Sequence, residues 1–167
     1  ERQNRAAVEP LRRLVKSGQT GFGRMHALQI LAGLEALKRS DLVVATADLS
    51  PVVRTHAIRL AERFLLKRQA GLGGNSVAEA PLMQSLLRLT DDYNKHVRYQ
   101  LAWTLSAVEF PGKTKALAKL FLQAGADPRQ QVALLNAATE RHAELIDELK
   151  KNTTFSESIF GDIIFRN

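Results

Sequence analysis

An aspartate stands five residues before a valine and six before an arginine at two places in this chain, Asp48–Val53–Arg54 and Asp92–Val97–Arg98. A third copy runs from Asp127 to Val132 but has Ala133 where the arginine would fall. Upstream, Arg24-Met-His-Ala-Leu28 matches Arg54-Thr-His-Ala-Ile58 position for position without the leading acid. The matched starts are 30, 44 and 35 residues apart. Imperfect self-similarity at such a period predicts stacked units, because one small unit cannot bury its own apolar face.

The best-formed copy shows what each unit is. Ser50 stands at a helix N-cap position, where its hydroxyl can accept from a free amide of the first turn. Pro51 follows at the first helical position, where a missing N–H costs nothing. Val53, Ala57, Leu60, Ala61, Phe64 and Leu65 then recur at three- and four-residue steps, one apolar helical face. Arg59, Arg63 and Lys67 fall four apart on another face. Ala57 and Ala61 leave room for a neighbouring helix to approach closely.

The same reading extends along the chain. Residues 1–17 form a first helix, striped by Val8, Leu11, Leu14 and Val15. Ser17 to Gly23, with three glycines, is a break, and residues 23–38 form a second helix. A short helix from Asp41 to about Ala47 precedes the helix from 51 to about 67. Residues 68–75 form the longest loop, and Ser76-Val-Ala-Glu79 fits a capping box opening a helix to about Leu89. Helices over 94–108, 113–124 and 128–150 follow, the last capped by Asp127. Thr154-Phe-Ser-Glu157 opens a final apolar segment. The units are therefore about 1–38, 41–67, 76–108 and 113–150, with 154–167 starting a truncated further unit or forming a cap. The first residue is Glu, so the 167 residues read as a single-domain fragment of a larger protein.

The motif Asp-x-x-Pro-x-Val-Arg-x-x-Ala resembles the HEAT repeat in its short, phycobilisome-lyase-like bacterial form, over roughly residues 20–145. The resemblance implies an all-α fold: an α-α superhelix of about four helical hairpins, right-handed and gently curved. It also implies a buried ladder of acids and arginines from successive units, here Asp48, Arg54, Asp92 and Arg98, with Arg24 and Asp127 as incomplete members. More narrowly, Gly23 to Leu37 followed by Asp48 to Glu62 is similar to helical segments of large bacterial multidomain proteins. Those proteins carry a membrane-bound-dehydrogenase, propeller-like domain and a haem-binding Cys-x-x-Cys-His cytochrome domain. That likeness implies an extracytoplasmic repeat module between the chemistry-bearing parts; on composition alone the compartment is unknown.

No constellation points to catalysis, a cofactor or a metal. The chain has no cysteine, so it forms no disulfide, does no thiol chemistry and contains no haem motif. His26 and His56 share a repeat position, but zinc needs three or four ligands, and His96 and His142 add no third at suitable spacing. Gly71-Leu-Gly-Gly74 imitates a phosphate loop, but such a loop needs a preceding strand, and here a helix precedes it. No apolar run is long enough to span a membrane.

Function is then a choice between partners. The first expectation is a non-enzymatic interaction or scaffold module, monomeric as a fragment, holding another domain of its own chain or a separate protein. The alternative is DNA binding through a basic concave face, since 24 basic against 17 acidic residues leave a net charge of +7, which favours acidic partners. Candidate contacts are Arg59, Arg63, Lys67 and Lys119, extended by Lys38, Arg39, Lys113 and Lys115. Trp103, near Tyr93, Tyr99, Lys95, His96 and Arg98, could stack on a base, although its apolar helix predicts partial core burial. Convergence of the basic residues favours nucleic acid; an exposed apolar or mixed patch favours a protein.

Overall fold

The computed structural model describes residues 5–69, 80–124 and 142–151, and within them every regular element is helical. The helices are α1 (Val8–Ser17), α2 (Gly21–Gly33), α3 (Arg39–Thr46), α4 (Pro51–Gln69), α5 (Ala80–Arg88), α6 (Lys95–Ser106), α7 (Lys113–Ala124) and α8 (His142–Lys150). One-turn 3-10 segments precede α1 at Arg5–Ala7 and follow α5 at Leu89–Asp91. The capping box at Ser76, the glycine-rich stretch at 71–74, Asp127 and residues 154–167 lie outside the described residues.

Short connections make neighbours in sequence neighbours in space. Helix α1 packs on α2 and α3 on α4; α7 also packs on α8, which lies further along the chain. Across these pairs, α2, α4 and α6 form one row and α1, α3 and α5 another. Of the α4 positions predicted as apolar, Val53, Ala57, Ala61 and Leu65 are buried and Leu60 and Phe64 pack partly buried against them; Ile58, outside that set, is fully buried as well. They join Leu28 and Leu31 of α2, Leu42 of α3, Leu86 of α5, Leu101 and Leu105 of α6, Leu117 of α7 and Leu145 of α8 in one continuous core. The small residues on α4 let the row close up. Gly21 does the same at the start of α2, where an added Cβ would stand 2.5 Å from the Ser50 hydroxyl.

Helix boundaries depart from expectation where a cap overrides composition. The predicted break over 17–23 is shorter, because the Thr20 hydroxyl accepts from the Gly23 amide at 3.1 Å and starts α2 among the glycines. The predicted continuation to residue 38 fails at Gly33. There Glu35 takes a left-handed backbone (φ 55°). Its amide bonds to Ala32 O and that of Ala36 to Leu31 O, a Schellman stop. Leu37 still reaches the core, but from the turn beyond the helix. At α4 the Asp48 carboxylate, rather than the Ser50 hydroxyl, closes the turn by accepting from the Ser50 amide at 2.7 Å.

Candidate functional site

Each repeat turn carries the same clasp. Arg24 Nη1 donates to Gly18 O at 2.6 Å, Arg54 Nη1 to Asp48 O at 2.7 Å, and Arg98 Nη1 to Asp92 O at 2.6 Å. In every case the arginine ties down the carbonyl six residues before it. The rest of the guanidinium reaches forward into the next unit. Arg24 grips Asp48 through Nε (2.6 Å) and Nη2 (2.7 Å), and Arg54 grips Asp92 through Nε (2.6 Å) and Nη2 (2.8 Å). Such two-pronged, charge-assisted contacts fix orientation as well as distance.

The acids are positioned in turn by the backbone. Asp48 accepts from the Ser50 amide and Asp92 from the Asn94 amide at 2.8 Å. Burial pushes the Asp48 carboxyl up, but the Arg24 guanidinium and the Ser50 amide outweigh it and hold the group below the usual carboxylate range. The Arg54–Asp92 pair is the more deeply buried, with side chains 6% and 3% exposed against 14% and 8% for Arg24–Asp48. The Tyr93 ring lies 4.9 Å from the Arg54 guanidinium and shields it further. Arg98 has no such acid among the described residues. Its Nη2 bonds to Gln123 O at 3.3 Å and its buried Nε finds no acceptor there.

The outer face of α2, α4 and α6 is built on the same register. Five residues beyond the three arginines stand Gln29, Arg59 and Trp103; two residues beyond stand His26, His56 and Gln100. Gln29 Nε2 lies 3.1 Å from His56 Nδ1, and Arg59 Nη2 donates to Gln100 Oε1 at 3.1 Å. These are equivalent contacts between successive helices. Burial, then the nearby charges of Arg59 and His26, lower the His56 pKa and favour its neutral ring. Glu62, which accepts from the Thr104 hydroxyl at 3.2 Å, is the sole acid in these three helices.

Exposed apolar side chains interleave with these polar ones. Phe22 and Ile30 on α2, Leu66 on α4, and Tyr99 and Trp103 on α6 are all solvent-exposed. Trp103, expected to be partly in the core, is 54% exposed, because the inward positions of α6 are taken by Val97, Leu101, Ala102 and Leu105. Between the end of α2 and α4 opens a cleft of about 250 Å³, with Ala32, Leu37, Leu60 and Phe64 as its apolar lining and Glu35 and Arg63 as its charged groups. The Arg39 guanidinium lies over the Phe64 ring at 5.4 Å.

Of the predicted basic stripe, Arg59 and Arg63 share an exposed face of α4. Lys67 is on the same helix, with its side chain outside the described set. Lys119 belongs elsewhere: it sits on α7 and pairs with Asp91, which also accepts from Gln123 at 2.9 Å. Lys113 is buried, donating to Ser106 O at 3.0 Å and to Glu109 at 2.7 Å. The stripe is therefore shorter than its sequence suggests.

One buried pair had no repeat to announce it. Arg12 on α1 reaches Asp41 on α3 through Nε at 3.3 Å and the Ala36 carbonyl through Nη2 at 2.6 Å, bracing the other row. Among the described residues no three His, Cys, Asp or Glu side chains gather as a metal site, and no helix is long and apolar enough to cross a membrane. No protein-family model, curated protein or solved structure matches the chain.

Proposed function

We propose that this chain is a HEAT-like α-α superhelix, a repeat module of a larger bacterial protein. It acts without catalysis, by presenting the α2–α4–α6 row to a protein partner. The observation that carries this reading is the mixed surface of that row, where Phe22, Ile30, Tyr99 and Trp103 lie exposed among His26, Arg59 and Arg63. Isolated exposed apolar residues are ordinary, but two on α2 and two on α6, set among polar and basic groups of the same row, have the composition of a contact surface. The repeated clasp supports the superhelix, because the arginine ties down the equivalent carbonyl at three turns and, at two of them, grips the aspartate of the next unit. The module serves either another domain of its own chain or a separate protein.

The alternative, DNA binding, is favoured by the near absence of acids from the row. Against it stands the pairing of two predicted contacts elsewhere, Lys113 with Glu109 and Lys119 with Asp91. A protein held on DNA by many phosphate contacts shows a steep loss of affinity with salt. Fluorescence-anisotropy titrations of labelled duplex and single-stranded DNA over a salt series decide between the two. The protein-partner reading expects at most weak binding at physiological salt. Micromolar or tighter binding with a steep logarithmic salt slope, abolished by Arg59→Glu with Arg63→Glu, would overturn it.

A further inference from the structure

We infer that the α2–α4–α6 row docks an acidic, amphipathic peptide segment, one of whose apolar side chains enters the cleft between the end of α2 and α4. The inference rests on the protein-partner reading above and names the chemistry of the partner.

Charge gives the first part. Helices α2, α4 and α6 contain one acid, Glu62, and it is engaged by Thr104. The arginines of the clasp are neutralised or held by carbonyls, but Arg59 and Arg63 lie exposed one helical turn apart on α4. A partner segment of the opposite sign is steered to such a surface and set in register by it. Glu35, the one acid among the residues that line the cleft with Arg63, disfavours an acid directly beside it.

The cleft gives the second part. At about 250 Å³ it falls just below the range of roughly 300–1,000 Å³ typical of small-molecule pockets and has room for a single large side chain. Its lining is mixed: Ala32, Leu37, Leu60 and Phe64 give the apolar walls for an anchor, and Arg63 is at hand to take a carboxylate next to it. Contact energy concentrates on such a buried anchor with charged residues around it. Trp103 occupies on α6 the register position that Arg59 holds on α4, so it extends the surface by stacking area toward the next unit. A nucleic-acid strand supplies charge, but no apolar side chain of the size the cleft takes. That difference favours the peptide.

The test is selection of a random peptide library against the full chain, followed by anisotropy on the synthesised consensus. Trp103 is the only tryptophan, so its emission reports occupancy of the row independently. The expected consensus is net negative with a bulky apolar residue, shifts Trp103 emission, and weakens about tenfold when that residue becomes Ala or when Arg63 becomes Glu. Arg63→Glu, at an exposed position, leaves folding intact. A Lys-for-acid consensus peptide then recovers affinity on that variant. Enriched peptides that are neutral or basic, or indifferent to Arg63→Glu, would overturn the acidic-segment inference while leaving a protein-docking face. No enrichment overturns it as well. Duplex DNA binding that is tighter and lost in the same variants overturns both readings.

Discussion

At the scale of single residues the Arg54–Asp92 pair is the decisive contact. Two parallel hydrogen bonds, a backbone amide on the acid and an aromatic ring over the guanidinium leave neither charge exposed. Removing one partner strands the other in the core. Asp92→Ala is therefore expected to destabilise by about 3–5 kcal/mol in urea denaturation, whereas Arg54→Met combined with Asp92→Leu recovers most of that loss. A cost under about 1 kcal/mol for Asp92→Ala would mean that the pair does not hold the units together. The six-residue offset made Asp48, Arg54, Asp92 and Arg98 visible in the sequence, since a fixed spacing at a turn is a one-dimensional signal. The Arg12–Asp41 pair gave none. It joins two helices 29 positions apart at a site with no counterpart elsewhere, so only the three-dimensional packing reveals it.

Among the elements, the end of α2 places its residues in an unfavourable order. Gly33 occupies a helical position with open space where a Cβ would go, while Glu35 carries the left-handed backbone that a glycine accepts freely. Exchanging the roles should stabilise the protein. Glu35→Gly removes left-handed strain of about 1 kcal/mol, and Gly33→Ala adds up to about 1 kcal/mol of helix propensity. Thermal unfolding of the single and double variants checks both, and a loss of stability in Glu35→Gly would show that the Glu35 side chain contributes more than its backbone costs. This stop was not legible in advance. The apolar spacing of Leu34 and Leu37 continued the helical period, and a glycine at 33 read as one more helical residue. Likewise Trp103 followed an apolar helix in sequence, yet its register places it outward, which hydrophobicity alone does not distinguish. The starts of α4 and α7 were legible, because Pro51 and the Pro111-Gly112 break are local signals that packing does not override.

Across the whole molecule the clasp links stability to pH. The folded state holds Asp48 below its ordinary carboxylate value, so the unfolded chain binds the proton more readily. The stabilisation is fully present above the unfolded value of about 3.9 and is lost as the pH falls through the folded one. Urea midpoints measured from about pH 6 to pH 2 should fall on the acid side. The gap between wild type and Asp48→Asn should narrow there, and a gap that stays constant would remove Asp48 from the acid response. The row architecture itself was partly visible, since the matched starts predicted helices that pack in order. Which cations share a surface was not, because Lys113 and Lys119 are drawn off by Glu109 and Asp91 through folding alone. The clasp has one more consequence. Arg24 and Arg54 are separated by 30 residues, and Arg54 and Arg98 by 44, yet the fork meets its aspartate in the same way at both junctions. What is repeated is the fastening, not the length between fastenings. A lineage could lengthen or shorten one unit by insertion or deletion and leave its neighbours joined as before, so that new surface is acquired without redesigning the stack.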